Sequence, residues 1–213
     1  MKICKVCGTP SSEDTLFCYV CGAKFQMNTL TVNRGYVSEE FITDADNNGA
    51  TLINPVILIT DKDIQDIMDI LPLLEETLKN ERQILIIANS YSEEVIQTLV
   101  MNKQRGTLVS VPIKAPGFGD RRKEMLKDIA LLTGGKVVSS DNGLELSNAT
   151  ISLCGQAKMA KITKDDAVII GGQGDELAIH NRMQDLKEQI PIITSDYDKE
   201  KLRERLITLF GCT

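Results

Sequence analysis

The sequence predicts an α/β domain preceded by a small metal-binding unit. From about residue 33 onward, apolar runs with strand character alternate with stretches in which apolar residues recur at helical spacing. Strands that alternate with helices are typical of a largely buried sheet covered by helices. Two Cys-x2-Cys pairs within the first 21 residues predict the separate unit. We therefore expect a metal-binding unit at residues 1–26, a polar linker at 27–32 and the α/β domain at 33–213.

The composition is that of a cytoplasmic globular protein. The 213 residues are 42% hydrophobic and 25% charged, which is enough to bury one sizeable core. The formal net charge of -6 argues against a protein whose main task is to grip duplex nucleic acid, because that requires a concentrated positive face. No apolar run approaches the ~20 residues that span a bilayer. The first residues also lack the apolar core of a signal peptide, so we expect no secretion by that route and no membrane partner.

Four cysteines form the predicted metal site of the N-terminal unit. Cys4, Cys7, Cys18 and Cys21 make two Cys-x2-Cys turns separated by ten residues, and each turn can present two thiolates to a tetrahedral Zn²⁺. Two disulfides are the alternative, which a reducing cytoplasm disfavours. Four thiolates can also hold iron, so zinc is inferred from the type of ligand. A unit of this size cannot bury enough apolar surface to fold alone, so the metal would supply its folding free energy.

The predicted zinc ribbon is structural rather than catalytic, because four thiolates leave no open coordination position. Two roles stay open for it: a structural clip, or a module that docks on protein or nucleic acid. The remaining cysteines, Cys154 and Cys212, lie outside the cluster and are predicted to be free thiols.

Six apolar runs predict the strands of the α/β domain. Each run is four to seven residues long and is bounded by turn or cap residues. In chain order the strands are predicted at residues 54–60, 84–88, 107–113, 136–139, 157–163 and 167–170. The turn Lys164-Asp165-Asp166 separates the last two.

Five stretches with helical spacing predict the helices. In chain order they are predicted at residues 63–80, 93–105, 120–132, 175–189 and 195–210. The first follows Asp61, a good helix N-cap. The second follows Ser90-x-x-Glu93, which matches a capping box, and it ends at Gly106. Gly134 ends the third helix.

The first two predicted helices carry more apolar residues than one core stripe requires. In helix 63–80 the stripe consists of Ile64, Ile67, Leu71, Leu74 and Leu78. Met68, Ile70 and Leu73 are apolar as well. Helix 93–105 likewise carries Val95, Ile96, Leu99, Val100 and Met101. Such an excess indicates either deep burial or an exposed apolar surface, and periodicity by itself favours burial.

The most specific motif is IKAPGFGDRRK, which starts at Ile113 and runs into the third helix. It resembles the apical domain of the bacterial group I chaperonins, the GroEL family. The likeness continues without obvious gaps from about residue 33 to about residue 210, and includes NRGY at 33–36 and TSDYD at 194–198. The resemblance implies a β-sandwich that carries flanking helices. The family's equatorial ATPase domain and its hinge have no counterpart here, so we expect no ATP site in this chain.

In that family, two adjacent apical helices form an apolar groove that binds non-native polypeptides and the mobile loop of the cochaperonin. The positions that match groove residues are Tyr36, Phe41, Leu71, Leu74, Ile96, Val100, Met101 and Asn102. Glu40 departs from the family pattern, which has an aromatic residue at this position. A carboxylate there either makes one end of the groove more polar and selects basic clients, or turns outward with little effect.

The resemblance implies a non-enzymatic protein that binds unfolded polypeptides without ATP, as a monomer or small oligomer. The only histidine, His180, lies in a polar helical stretch, is predicted to be on the surface and has no obvious nucleophile partner, which argues against a Ser-His-Asp triad. Two rival functions stay open. One is an adaptor with a single dedicated partner, whose ribbon docks on protein or nucleic acid. The other is a protein that assembles with a full-length chaperonin or with a cochaperonin loop.

Overall fold

The computed structural model of the chain describes residues 2–3, 8–11, 20, 29–44 and 48–210. Within these residues five α-helices accompany strands that form two four-stranded and two two-stranded sheets, which confirms an α/β fold. The strands are β1 Lys2–Ile3, β2 Pro10–Ser11, β3 Thr29–Val32, β4 Ala50–Ile53, β5 Val56–Ile59, β6 Asp63–Ile64, β7 Ile84–Ala88, β8 Ser90–Tyr91, β9 Ser110–Lys114, β10 Gly155–Gln156, β11 Met159–Ile162 and β12 Ala167–Ile170. The helices are α1 Leu71–Lys79, α2 Glu93–Gln104, α3 Gly119–Thr133, α4 Glu176–Gln189 and α5 Asp196–Phe210.

The first four-stranded sheet has the strand order β10, β5, β7, β9. β5, β7 and β9 run parallel, and β10 pairs with β5 in the antiparallel direction. Every residue of β5 and β7 is buried, as expected for central strands of a parallel sheet that is covered on both faces. Because these strands are buried on both faces, they appear in the sequence as continuous apolar runs.

The second four-stranded sheet is antiparallel, with the order β3, β12, β11, β4. Buried residues alternate with more exposed ones along all four strands. One face of this sheet therefore packs inward while the other is partly open to solvent. Buried side chains of both sheets and of the helices belong to one apolar core.

The first helix is shorter than the sequence predicted. Residues 63–80 form strand β6, a 3-10 helix at Ile67–Asp69 and then α1, which begins only at Leu71. Pro72 explains the difference, because proline lacks a backbone N–H and fits the first turn of a helix but not its interior. Asp66, rather than Asp61, acts as a cap here, since its carboxylate accepts a hydrogen bond from Met68 N at 2.9 Å.

Three other local predictions were wrong. Residues 29–32, predicted as part of the polar linker, form strand β3, which pairs with β12. Ser92, not Ser90, caps α2, and its hydroxyl accepts from Val95 N at 3.2 Å. The predicted strand at 136–139 is reduced to one isolated bridge between Val138 and Thr60. Ser139 already starts a 3-10 turn, so this segment is too short to form a ladder.

Helices α3, α4 and α5 are joined by a network of ion pairs. The carboxylate of Asp128, whose side chain is only 6% exposed, accepts from Nε of Arg182 at 3.1 Å and from Nε of Arg205 at 2.7 Å. Glu124 contacts the same two guanidinium groups. Burial alone would raise the pKa of Glu124, but hydrogen bonds from Lys127 and Arg182 outweigh it and lower the pKa to about 2.

Across the described part of the chain, no helix has both the length and the apolar character needed to cross a membrane.

Candidate functional site

Two helices and two short segments form one continuous surface. The 3-10 helix Ile67–Asp69 contacts both α1 and α2, and a second 3-10 helix, Glu39–Phe41, packs against α2. We call the surface formed by α1, α2, residues 66–69 and residues 36–41 the two-helix face. It contains every position that the sequence matched to the chaperonin groove.

The start of α2 is fixed by backbone and side-chain hydrogen bonds. Ser92 donates from its backbone N to Ile64 O at 3.0 Å and from its hydroxyl to Gln65 O at 2.8 Å. The Tyr91 hydroxyl lies within hydrogen-bond distance of Ile86 O and Ile113 O and can donate to either, and burial raises its pKa well above the ordinary value. These contacts hold α2 against strands β7 and β9.

Residues 36–41 lie along the free edge of β9 and reach α2. Val37 N donates to Pro112 O at 3.2 Å, and Tyr36 forms a bridge with Ile113. Proline suits this edge strand because it has no N–H to donate. These contacts place Tyr36 at the edge of β9, three residues before the 3-10 helix that packs against α2.

Lys103 attaches the same segment to the end of α2. Its ammonium group donates to Glu40 O and to Ile42 O, each at 2.6 Å. Burial lowers the pKa of Lys103, and the nearby Glu40 carboxylate acts in the opposite direction. Glu40 itself is exposed, so its carboxylate remains available at the edge of the two-helix face.

The predicted groove residues separate into two groups. Met101 is 48% exposed. The residues that are partly buried but still reach the surface are Tyr36, Leu71, Ile96 and Asn102. These five can touch a ligand on the two-helix face.

The other three predicted residues lie in the core. Phe41 is fully buried, and Leu74 and Val100 are each 5% exposed. All three belong to the buried apolar core, so the expectation that these side chains present apolar surface is corrected. Partly buried residues of the face, including Tyr36 and Ile96, pack against this core.

Sequence reasoning did not place Met68 in the site. Its side chain is 61% exposed on the 3-10 helix between α1 and α2, and the neighbouring Ile67 is partly buried. The available signal was that Met68 lies off the apolar stripe of the predicted helix. Leu78, which was assigned to that stripe, is 43% exposed at the far end of α1.

The predicted zinc ligands Cys4, Cys7, Cys18 and Cys21 lie outside the described residues, as does Cys212. Cys154 is a free thiol, as predicted. Burial, with a smaller contribution from the Glu76 carboxylate, raises the pKa of Cys154 to about 12. Since the thiolate is the reactive form, this cysteine is chemically inert in the folded protein.

A cavity of about 270 Å³ lies away from the two-helix face, between β3, α3 and α5. Its lining includes Leu30, Met125 and Ile207 together with the charged side chains of Arg121 and Glu204. Arg121 donates to Glu204 across the cavity wall at 3.2 Å. None of the predicted groove residues lines it.

A comparison with models of known protein families finds no match to this chain. The likeness to the chaperonin apical domain therefore rests on sequence motifs alone. Any function must be inferred from the two-helix face and from the N-terminal cysteines.

Proposed function

We propose that the chain binds non-native or extended polypeptide segments on the two-helix face, without ATP and without catalysis. The observation that supports this most directly is the exposure of Met68 and Met101 on adjoining elements of that face. Partly buried Leu71 and Ile96 extend the apolar surface. The same face contains the positions that resemble the chaperonin groove, and the two sheets with flanking helices suit the apical β-sandwich that the motifs imply.

The chemistry of this face suits ligands of varied sequence. Burial of apolar area contributes roughly 25 cal/mol per Å² and makes little geometric demand. Methionine adds to this tolerance, because its unbranched thioether side chain repacks against different partners. An interface of on the order of 300 Å² of apolar area would contribute about 7 kcal/mol before the cost of ordering the peptide, which leaves weak, reversible binding. Clients would be released by dissociation alone.

For the N-terminal unit we propose a structural Zn²⁺ held by Cys4, Cys7, Cys18 and Cys21. β1 and β2 pair in the antiparallel direction, and Cys4 and Cys7 lie between these two strands in sequence. Gly8 has a φ of 73°, a left-handed conformation that suits a glycine directly after the second cysteine of such a turn. Bound Zn²⁺ would supply folding free energy to the unit.

A second candidate is an adaptor that binds one dedicated partner. The exposed Glu40 supports it, because a charge at the edge of an apolar face narrows the range of ligands. The ribbon would then dock on protein or nucleic acid. Both candidates use the same face, and they differ in how many sequences bind.

The test is suppression of aggregation of two unrelated, chemically denatured proteins in the absence of nucleotide. The wild type is compared with a Met68→Glu, Met101→Glu variant, whose changes fall on exposed side chains and should leave the fold intact. A Leu177→Glu, Ile192→Glu variant is the matched control, since both residues are exposed outside the two-helix face.

We expect suppression by the wild type and the control, and a loss of suppression in the methionine variant. Equal suppression by all three proteins would overturn the assignment to this face. No suppression by the wild type would refute general polypeptide binding and favour the single-partner adaptor.

A further inference from the structure

Negative charge is concentrated on the two-helix face. Its elements carry eight carboxylates and two lysines, a net charge of -6, which equals the formal net charge of the whole chain. The carboxylates belong to Glu39, Glu40, Asp66, Asp69, Glu75, Glu76, Glu93 and Glu94. The formal charges of the remaining residues of the chain therefore sum to zero.

Several of these carboxylates have local structural roles. Asp66 caps the 3-10 helix, and Glu76 accepts from Ile151 N at 3.0 Å. Glu93 and Glu94 occupy the first turn of α2, where the helix dipole stabilises negative charge. These four carboxylates are explained by the fold.

The side chains of Glu40, Asp69 and Glu75 accept no hydrogen bond and form no close ion pair among the described contacts. Glu40 and Glu75 are exposed and Asp69 is partly exposed. Asp69 lies next to Met68 in sequence, while Glu40 lies beside the end of α2 that carries Met101. Exposed or partly exposed carboxylates therefore accompany the exposed methionines on the elements of this face, and we call Glu40, Asp69 and Glu75 the acidic border.

The two lysines of the face offset only part of this charge, and the net charge of -6 already includes them. Lys103 donates to two backbone carbonyl oxygens, and its ammonium group lies near the Glu40 carboxylate. Lys79 follows Glu75 by one helical turn on α1. A bound segment would therefore meet an apolar centre with an acidic border.

We propose that the two-helix face selects polypeptide segments in which apolar residues are interspersed with Lys or Arg. This inference rests on the proposed function and specifies the class of client for the same surface. Complementary charge accelerates encounter and disfavours acidic segments, while apolar burial supplies most of the affinity. Two or three exposed ion pairs, each contributing about two- to fivefold, would give about tenfold tighter binding of a basic segment.

The test uses the full chain and three peptides of equal length with the same apolar residues, separated by Lys, by Ser or by Glu. Dissociation constants are measured by fluorescence polarisation at low and at high salt. A Glu40→Gln, Asp69→Asn, Glu75→Gln variant removes the border charges with isosteric side chains. An Asp165→Asn, Asp185→Asn, Glu188→Gln variant makes the same change in net charge at exposed sites elsewhere.

We expect the wild type to bind the Lys peptide about tenfold more tightly than the Ser peptide at low salt, with a smaller difference at high salt. The border variant should lose this preference, and the control variant should keep it. If the wild type binds the Lys and Ser peptides equally, or if the border variant keeps the preference, the charge selection is wrong and polypeptide binding stands. If no peptide binds, the proposed function itself fails.

Discussion

The buried carboxylate of Asp128 holds α4 and α5 against α3, and its removal gives a sharp test of the fold. Both Arg182 and Arg205 donate to it, and these arginine side chains are only 22% and 11% exposed. Asp128→Ala would leave two largely buried guanidinium groups with Glu124 as their remaining partner. The change therefore removes one member of a network without removing the charges that it balances.

The size of the effect follows from this imbalance. Loss of one partner of a buried ion pair typically costs about 3–5 kcal/mol. The lower end applies here, because Glu124 still contacts both arginines and water reaches part of each guanidinium group. We expect a loss of about 3 kcal/mol in the free energy of unfolding, or about 6–12 °C in Tm for a chain of this size.

Urea denaturation followed by circular dichroism measures this difference. The matched control is Glu200→Ala on α5, the helix of Arg205, which removes an exposed pair with Arg203 at 3.5 Å. That pair should contribute less than about 0.5 kcal/mol. If Asp128→Ala destabilised the protein no more than Glu200→Ala does, the network would not be what joins the three helices.

Three further outcomes are expected. Because the pKa of Glu124 is lowered from 4.5 to about 2, its contribution to stability is complete above about pH 4.5 and is lost as the pH falls toward 2. Urea midpoints should therefore fall less steeply in this window for Glu124→Gln than for the wild type; parallel curves would contradict the assignment. Gly35→Ala should cost about 2–3 kcal/mol, since a Cβ there would lie 2.0 Å from Lys164 O; an unchanged Tm would refute this close approach. Elemental analysis should find about one Zn²⁺ per chain, and less in a Cys4→Ser, Cys18→Ser variant; a full complement of metal in that variant would refute the ligand set.

The sequence predicted regular elements well where local signals were complete. Helix α3 was expected at 120–132 and spans Gly119–Thr133, because Gly134 adopts a φ of 76° that ends the helix. The start of α1 was misplaced by several residues, since the apolar spacing outweighed Pro72. The strand order of the parallel sheet depends on contacts between distant segments, which a single sequence does not display.

The candidate site was predicted at the level of elements rather than side chains. Leu74 and Met101 occupy similar helical patterns, yet one is 5% and the other 48% exposed. Leu74 belongs to the apolar core, whereas Met101 lies outside it. Which helical positions become covered depends on tertiary packing, so spacing within α1 and α2 could not reveal it.

The two hydrogen bonds from Lys103 have a kinetic consequence for binding. They fix residues 40–42 on α2, so this side of the two-helix face has its shape before a ligand arrives. Binding then has to restrict the conformational entropy of the ligand but little of that of the protein. Because the surface needs no rearrangement, the association rate constants of different ligands should be similar apart from charge steering. Differences in affinity should therefore arise mainly from the dissociation rate constants, that is, from the residence time of each ligand.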